Sequence, residues 1–184
     1  MKNYKIKDLM VPLSEYATVP EDATLLEAAT ALEKAQEKFD QTRYRHRAIL
    51  VLDKGNNVVG KLSQLDLLHA LEPKYDEMLD RRKLRSFGFN KAFMKSMIKD
   101  YHLFDSPLTD ICRKVGEKSL KKFMSSFSEG EYIEENATLD EAIHQLVIGQ
   151  HQTLLVTRGD RILGVLRQTD VFATIYHTMK KVFS

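Results

Sequence analysis

Apolar residues in this chain recur in two rhythms, one helical and one extended, and the sequence runs through both rhythms twice. Leu25, Ala28, Ala29, Leu32 and Ala35 follow helical spacing, as do Leu139, Ala142, Ile143, Leu146 and Val147. Each stripe opens on a Thr-x-x-Glu, Thr24 to Glu27 and Thr138 to Glu141. This is the form of a capping box, in which the hydroxyl accepts from an orphan amide and the glutamate reaches back to the cap residue. After each stripe comes a short continuous apolar run of the length of a buried strand, Ala48 to Leu52 and Thr153 to Val156. Asp53 to Asn57 and Thr157 to Asp160 have turn chemistry. Val58 to Leu62 and Ile162 to Leu166 return as second hairpin strands, with helices to follow at about 64–71 and 168–180. Gly60 and Gly164 fall inside the return strands, where a missing side chain permits close backbone approach.

The two passes are an internal repeat. Residues 14–28 align with 128–142 at an offset of 114, and residues 48–66 with 152–170 at an offset of 104. The change of offset places ten extra residues in the first copy, between Ala28 and Ala48. An α/β fold of two pseudo-symmetric units follows, each a small sheet packed with helices. The expected division is 1–72 for the first repeat, 73–119 for a helical inter-repeat segment and 120–184 for the second. In the middle segment Phe87, Phe89, Phe93, Met94, Met97 and Ile98 predict an apolar face that packs on the repeats or on a second subunit. Ser106 and Pro107 read as N-cap and first residue of a further helix.

Composition narrows the chemistry. A net charge of +2 is too small to imply a nucleic-acid or membrane surface by itself, although Arg81 to Arg85 and Arg43 to Arg47 are locally basic. The lone Cys112 excludes an internal disulfide and reads as a buried, inert thiol. Six scattered histidines form no metal-ligand pair. Neither a signal peptide nor a membrane-length apolar stretch is present, so a cytoplasmic protein is expected.

The stretches Leu50 to Asp53 with Gly60-Lys61-Leu62-Ser63-Gln64-Leu65-Asp66, and Leu155-Val156 with Gly164-Val165-Leu166-Arg167-Gln168-Thr169-Asp170, resemble the CBS domain, named for cystathionine β-synthase. Asp8-Leu9-Met10 and Tyr16 to Val19 match the entry signature of that family. The resemblance implies a paired module with two clefts for adenosine-containing ligands. The aspartate of each Gly-h-h-[S/T]-x-x-Asp would bind ribose, the residue three before it would lie near phosphate, and the entry segment would contact adenine. Carried over by position, one cleft would use Ala17, Thr18, Val19, Arg47, Ser63 and Asp66. The other would use Tyr132, Ile133, His151, Arg167 and Asp170.

The residue types suit those tasks, since a carboxylate accepts from both vicinal ribose hydroxyls and a helix N-terminus offers amides to phosphate. Each also has a plainer reading. Ser63 with Asp66 is itself a capping box, Arg167 can pair with Asp170, and His151 suits a helix C-terminus. The expected function is a regulatory module without catalysis. It would bind AMP in first place, with ADP, ATP or S-adenosylmethionine behind it, and act as a homodimer on an effector protein. The cleft with Arg167 is the preferred one. The alternative is an unliganded dimerisation or interaction scaffold.

Overall fold

The computed structural model describes residues 4–37, 46–75 and 91–184. Arg43 to Arg45, the basic run at 81–85, Phe87 and Phe89 lie outside those residues. In chain order the elements are β1 (Val11–Pro12), β2 (Thr18–Pro20), α1 (Leu25–Glu37), β3 (Ala48–Leu52), β4 (Val58–Ser63) and α2 (Gln64–Ala70), then α3 (Lys91–Asp100) and α4 (Leu108–Gly116). The second repeat supplies β5 (Tyr132–Glu134), α5 (Leu139–Gly149), β6 (Thr153–Arg158), β7 (Arg161–Arg167) and α6 (Gln168–Phe183).

Both repeats build the same unit. β2 runs parallel to β3, which turns back antiparallel as β4, and β5, β6 and β7 repeat the arrangement. The capping boxes start the helices as the sequence requires. The Glu27 carboxylate accepts from the Thr24 amide at 2.7 Å, and that of Glu141 from the Thr138 amide at 2.6 Å. Leu25 and Ala28 are buried against Ile49, Val51 and Leu62, Leu32 is buried as well, and Leu139, Ala142 and Leu146 are buried against Leu154, Val156 and Leu166. Val147, predicted to join its stripe in the core, is instead 66% exposed.

The entry segments are exchanged between the repeats. β1 pairs with β7 of the second repeat, Val11 opposite Val165, while Ser125 bridges to Lys61 in β4 of the first. Lys5 bridges to Thr138, and Ser119 to Thr24. These pairings interchange under one pseudo-twofold relation. Both predicted close approaches occur here. A Cβ on Gly164 would stand 2.3 Å from the Val11 carbonyl oxygen, and one on Gly60 would stand 3.0 Å from that of Ser125.

Register corrects the sequence alignment. Leu50 lies opposite Lys61 and Leu155 opposite Val165, so β4 and β7 keep the offset of 104 while β3 and β6 are related by 105. The second hairpin is one residue shorter, because β6 extends through Thr157 and Arg158 and leaves a two-residue turn at Gly159-Asp160. Positive φ falls on Asn56 in the first turn (61°) and on Gly159 in the second (57°). Nine extra residues, not ten, then separate α1 from β3 in the first copy. His151 is accordingly the counterpart of His46, and Gln152 that of Arg47.

The inter-repeat segment departs from expectation in detail. α4 packs on the first repeat, with Val115 in its core and the Leu25 amide on the Lys118 carbonyl at 2.9 Å. Pro107, not Ser106, holds the N-cap position of α4. Cys112 is exposed, on the outer side of that short helix. On α3, Met94 and Ile98 are 45% and 50% exposed, while Phe93 and Met97 are half-buried, so this face is covered only in part.

Candidate functional site

The junction of the two repeats holds a small core of Val11, Tyr16, Leu50, Leu155 and Val165. On one side of it, residues from both repeats close into a polar cluster. Arg167 ends β7 and caps α6, and its guanidinium Nε donates to Asp170 Oδ2 at 2.7 Å. Its Nη2 donates to Asp170 Oδ1, so both carboxylate oxygens are engaged. Oδ2 also accepts from the Arg167 amide at 3.1 Å. Across the junction, His46 Nδ1 stands 3.5 Å from Arg167 Nη1, and the Tyr16 ring meets the His46 ring edge-on at 4.4 Å.

Three of its four members are buried, and the Asp170 side chain is 16% exposed. Arg167 is 4% exposed, His46 1% and Tyr16 6%. Burial, joined by the positive charge of Arg167, lowers the His46 pKa to about 4. Burial also pushes the Tyr16 hydroxyl up to about 12, with Arg167 opposing the shift and Asp170 adding to it. The imidazole is therefore neutral near pH 7.

The twofold relation pairs Tyr16 with Gly130, His46 with His151, Arg167 with Ser63 and Asp170 with Asp66. The second cleft is thus built from Gly130, His151, Ser63 and Asp66, and its walls differ. Ser63 and Asp66 form a complete capping box. Asp66 Oδ2 accepts from the Ser63 amide at 2.7 Å and from its hydroxyl at 2.6 Å, and the Ser63 oxygen accepts from the Asp66 amide at 3.1 Å. Asp66 Oδ1 makes no hydrogen bond among the described residues. Where the first cluster has Val165 and Ala17, this side has Lys61 and Glu131, joined as an ion pair between the repeats. Burial alone would raise the Glu131 pKa, but hydrogen bonds from Lys61 and Ser128 outweigh it and hold the carboxyl below its ordinary value. Gly130 is exposed, and a Cβ there would meet His151 Nε2 at 3.2 Å.

The other sequence-predicted residues are spread between core and surface. Ala17 and Val19 are buried, Val19 in the first-repeat core, and Ile133 lies in the second. Thr18 is half-buried in β2. Arg47 is exposed, and its carbonyl accepts from the Gln64 amide at 3.0 Å beside Ser63. Tyr132 lines a polar cavity of about 670 Å³ between the two hairpin turns, with Asn56, Asn57, Thr157 and Arg161 on its walls. The sequence reading missed Tyr16, His46 and Gly130. A one-residue gap in the hairpin turn would have exposed the signal, because His46-Arg47-Ala48-Ile49-Leu50-Val51 then aligns with His151-Gln152-Thr153-Leu154-Leu155-Val156.

Among the described residues no cluster of His, Cys, Asp and Glu is placed to hold a metal ion, and no helix is long and apolar enough to cross a membrane. The family model of the CBS domain matches residues 6–73. The second half repeats the matched half element by element. The first repeat is a CBS domain, and the chain as a whole has the fold of a CBS-domain pair. Its fold is similar to the CBS-pair protein CBSX2 from Arabidopsis thaliana, with a TM-score of 0.60 at 16% identity over 96% of this chain and 97% of that one. A structure of CBSX2 in complex with AMP gives 0.58 at 17% identity, over 96% of this chain and 98% of that one. A putative acetoin utilization protein from Vibrio cholerae gives 0.59 at 17% identity, over 97% of this CBS pair and 94% of that chain. None of the curated proteins matches.

Proposed function

We propose that this CBS pair is a regulatory module that takes an adenine nucleotide, AMP first, in the cleft at Ser63 and Asp66. The contrast between the two aspartates carries the reading. Asp170 spends both oxygens on Arg167, whereas Asp66 caps α2 through Oδ2 and keeps Oδ1 outside the cap. A carboxylate oxygen so placed accepts from a ribose hydroxyl without loss of the helix cap. The wall residues agree with this choice, since Lys61, Glu131, Ser125 and Gly130 stand where the opposite side has Val165, Ala17, Val11 and Tyr16. The AMP complex of CBSX2 supports the ligand class at the level of a shared fold. The preference inverts the sequence reading, which favoured the Arg167 cleft.

Regulation follows by population shift. A nucleotide between the repeats drives a change only as far as it prefers one arrangement of them. The module would pass that change to a second copy and to an effector protein. A thermal-shift panel of AMP, ADP, ATP and S-adenosylmethionine tests the reading. A ligand at a hundred times its dissociation constant adds about 2.7 kcal/mol to the folded state. The shift is expected for wild type and Asp170→Asn and is lost in Asp66→Asn.

One observation favours the scaffold reading. α2 and α6 expose Leu65, Leu68, Phe172, Tyr176 and Met179, an apolar surface fit for a second copy. If no adenosine compound moves the wild-type transition, these helices carry the function.

A further inference from the structure

We infer that the CBS pair is a one-site module, in which its own side chains close the cleft at Asp170. The inference rests on the nucleotide reading and deepens it, since it states which cleft is open and what shuts the other. The forked guanidinium takes one acceptor site on each Asp170 oxygen and the Arg167 amide takes the second on Oδ2, so a single site on Oδ1 remains, too few for an incoming hydroxyl pair. Asp170 is therefore occupied by an internal ligand.

The closure is built from both repeats. Arg167 and Asp170 come from the β7–α6 junction, His46 from the residues before β3, and Tyr16 from the residues before β2. Tyr16 packs in the junction core with Val11, Leu155 and Val165, so its ring cannot swing out without opening that core. His46 stacks edge-on against it and faces Arg167 from the other side. A nucleotide entering here would have to strip a buried ion pair and displace a packed ring together. At the counterpart the aspartate itself is unguarded, since Gly130 replaces the ring and Ser63 replaces the guanidinium, and the Lys61–Glu131 ion pair there does not engage Asp66.

The duplicated histidine sharpens the contrast. His46 and His151 occupy matching positions, so the closure itself is set by Tyr16 against Gly130 and Arg167 against Ser63. The second repeat has thus kept its aspartate while converting the residue three before it into that aspartate's partner.

Binding stoichiometry tests this directly. AMP is titrated calorimetrically into the full chain as wild type, Arg167→Ser, Asp66→Asn and the double variant Arg167→Ser/Asp170→Asn. One equivalent per chain is expected for wild type, weakened more than tenfold in Asp66→Asn. Arg167→Ser, which recreates the Ser63 arrangement, should gain a second and weaker equivalent that the double variant loses. Two equivalents on wild type, or one of undiminished affinity on Asp66→Asn, would overturn the closure even if Arg167→Ser failed to fold. A folded Arg167→Ser held at one equivalent would also overturn it. If no variant binds AMP, the nucleotide reading itself fails, and the inference falls with it.

Discussion

Lys61 of the first repeat and Glu131 of the second form an ion pair across the junction, with the Glu131 side chain 8% exposed and that of Lys61 22%. The Lys61 ammonium also lies 5.0 Å from the centroid of the Phe127 ring. Glu131 accepts from the Ser128 amide at 2.9 Å, so one carboxylate fixes both a local turn and the contact between repeats. Removing one partner leaves a half-buried charge without its counter-ion, which costs about 1–3 kcal/mol. Lys61→Met and Glu131→Gln are each expected to lower unfolding free energy by that amount in urea titrations. The Glu131 pKa is below its ordinary 4.5 in the folded state, so its contribution is complete above that value and is lost as pH falls through the folded pKa.

His46 gives a separate pH window. Its folded pKa is about 4 against 6.5 in the unfolded chain, so between these values only the unfolded chain takes up the proton. Stability should therefore fall as pH is lowered from about 6.5 toward about 4, with Tyr16, Arg167 and Asp170 the groups that face the ring. His46→Gln should flatten that part of the profile. Chemical denaturation at a series of pH values reads both windows, and an unchanged slope in the variant would assign the effect elsewhere.

Gly164 and Gly60 rank by how much room each entry segment leaves. A Cβ on Gly164 would collide with the Val11 carbonyl oxygen at 2.3 Å, whereas one on Gly60 meets the Ser125 carbonyl at 3.0 Å and the flexible Met124 sulfur at 3.1 Å. Overpacking of this kind costs about 1–3 kcal/mol. Gly164→Ala should fall at the upper end and Gly60→Ala at the lower, by thermal denaturation of the two variants side by side.

The two-unit architecture was legible because it rests on patterns the chain must obey locally. Leu25, Ala28 and Leu32 had to face a core, Thr24 and Glu27 had to cap, and Gly60 and Gly164 had to admit a neighbouring backbone. The exchange of entry segments was not legible, because Val11 pairing with Val165 is a choice between two equally patterned partners. Register was misread by one residue, since a short turn at Gly159-Asp160 leaves the apolar run of β6 looking unshifted. Of the site, the sequence found both aspartates and offered the Arg167–Asp170 pair as a surface contact, but could not tell that Arg167 would be buried in making it. His46 was hidden for the same reason as the register, and Tyr16 was passed over as part of the entry segment. Val147 was assigned to the core by period alone, and its exposure reflects the narrower stripe that α5 buries.

The most direct measurement is the affinity of AMP for wild type and for Asp66→Asn, by calorimetric titration of the intact chain. Asparagine keeps one acceptor oxygen for the α2 cap but removes the second, charged one offered to the ribose. A charge-assisted hydrogen bond contributes about 1.5–3 kcal/mol, so saturable binding to wild type should weaken by more than tenfold in the variant while its thermal midpoint holds. Equal affinity in the two proteins, or no saturable binding to wild type, would contradict nucleotide recognition at Asp66.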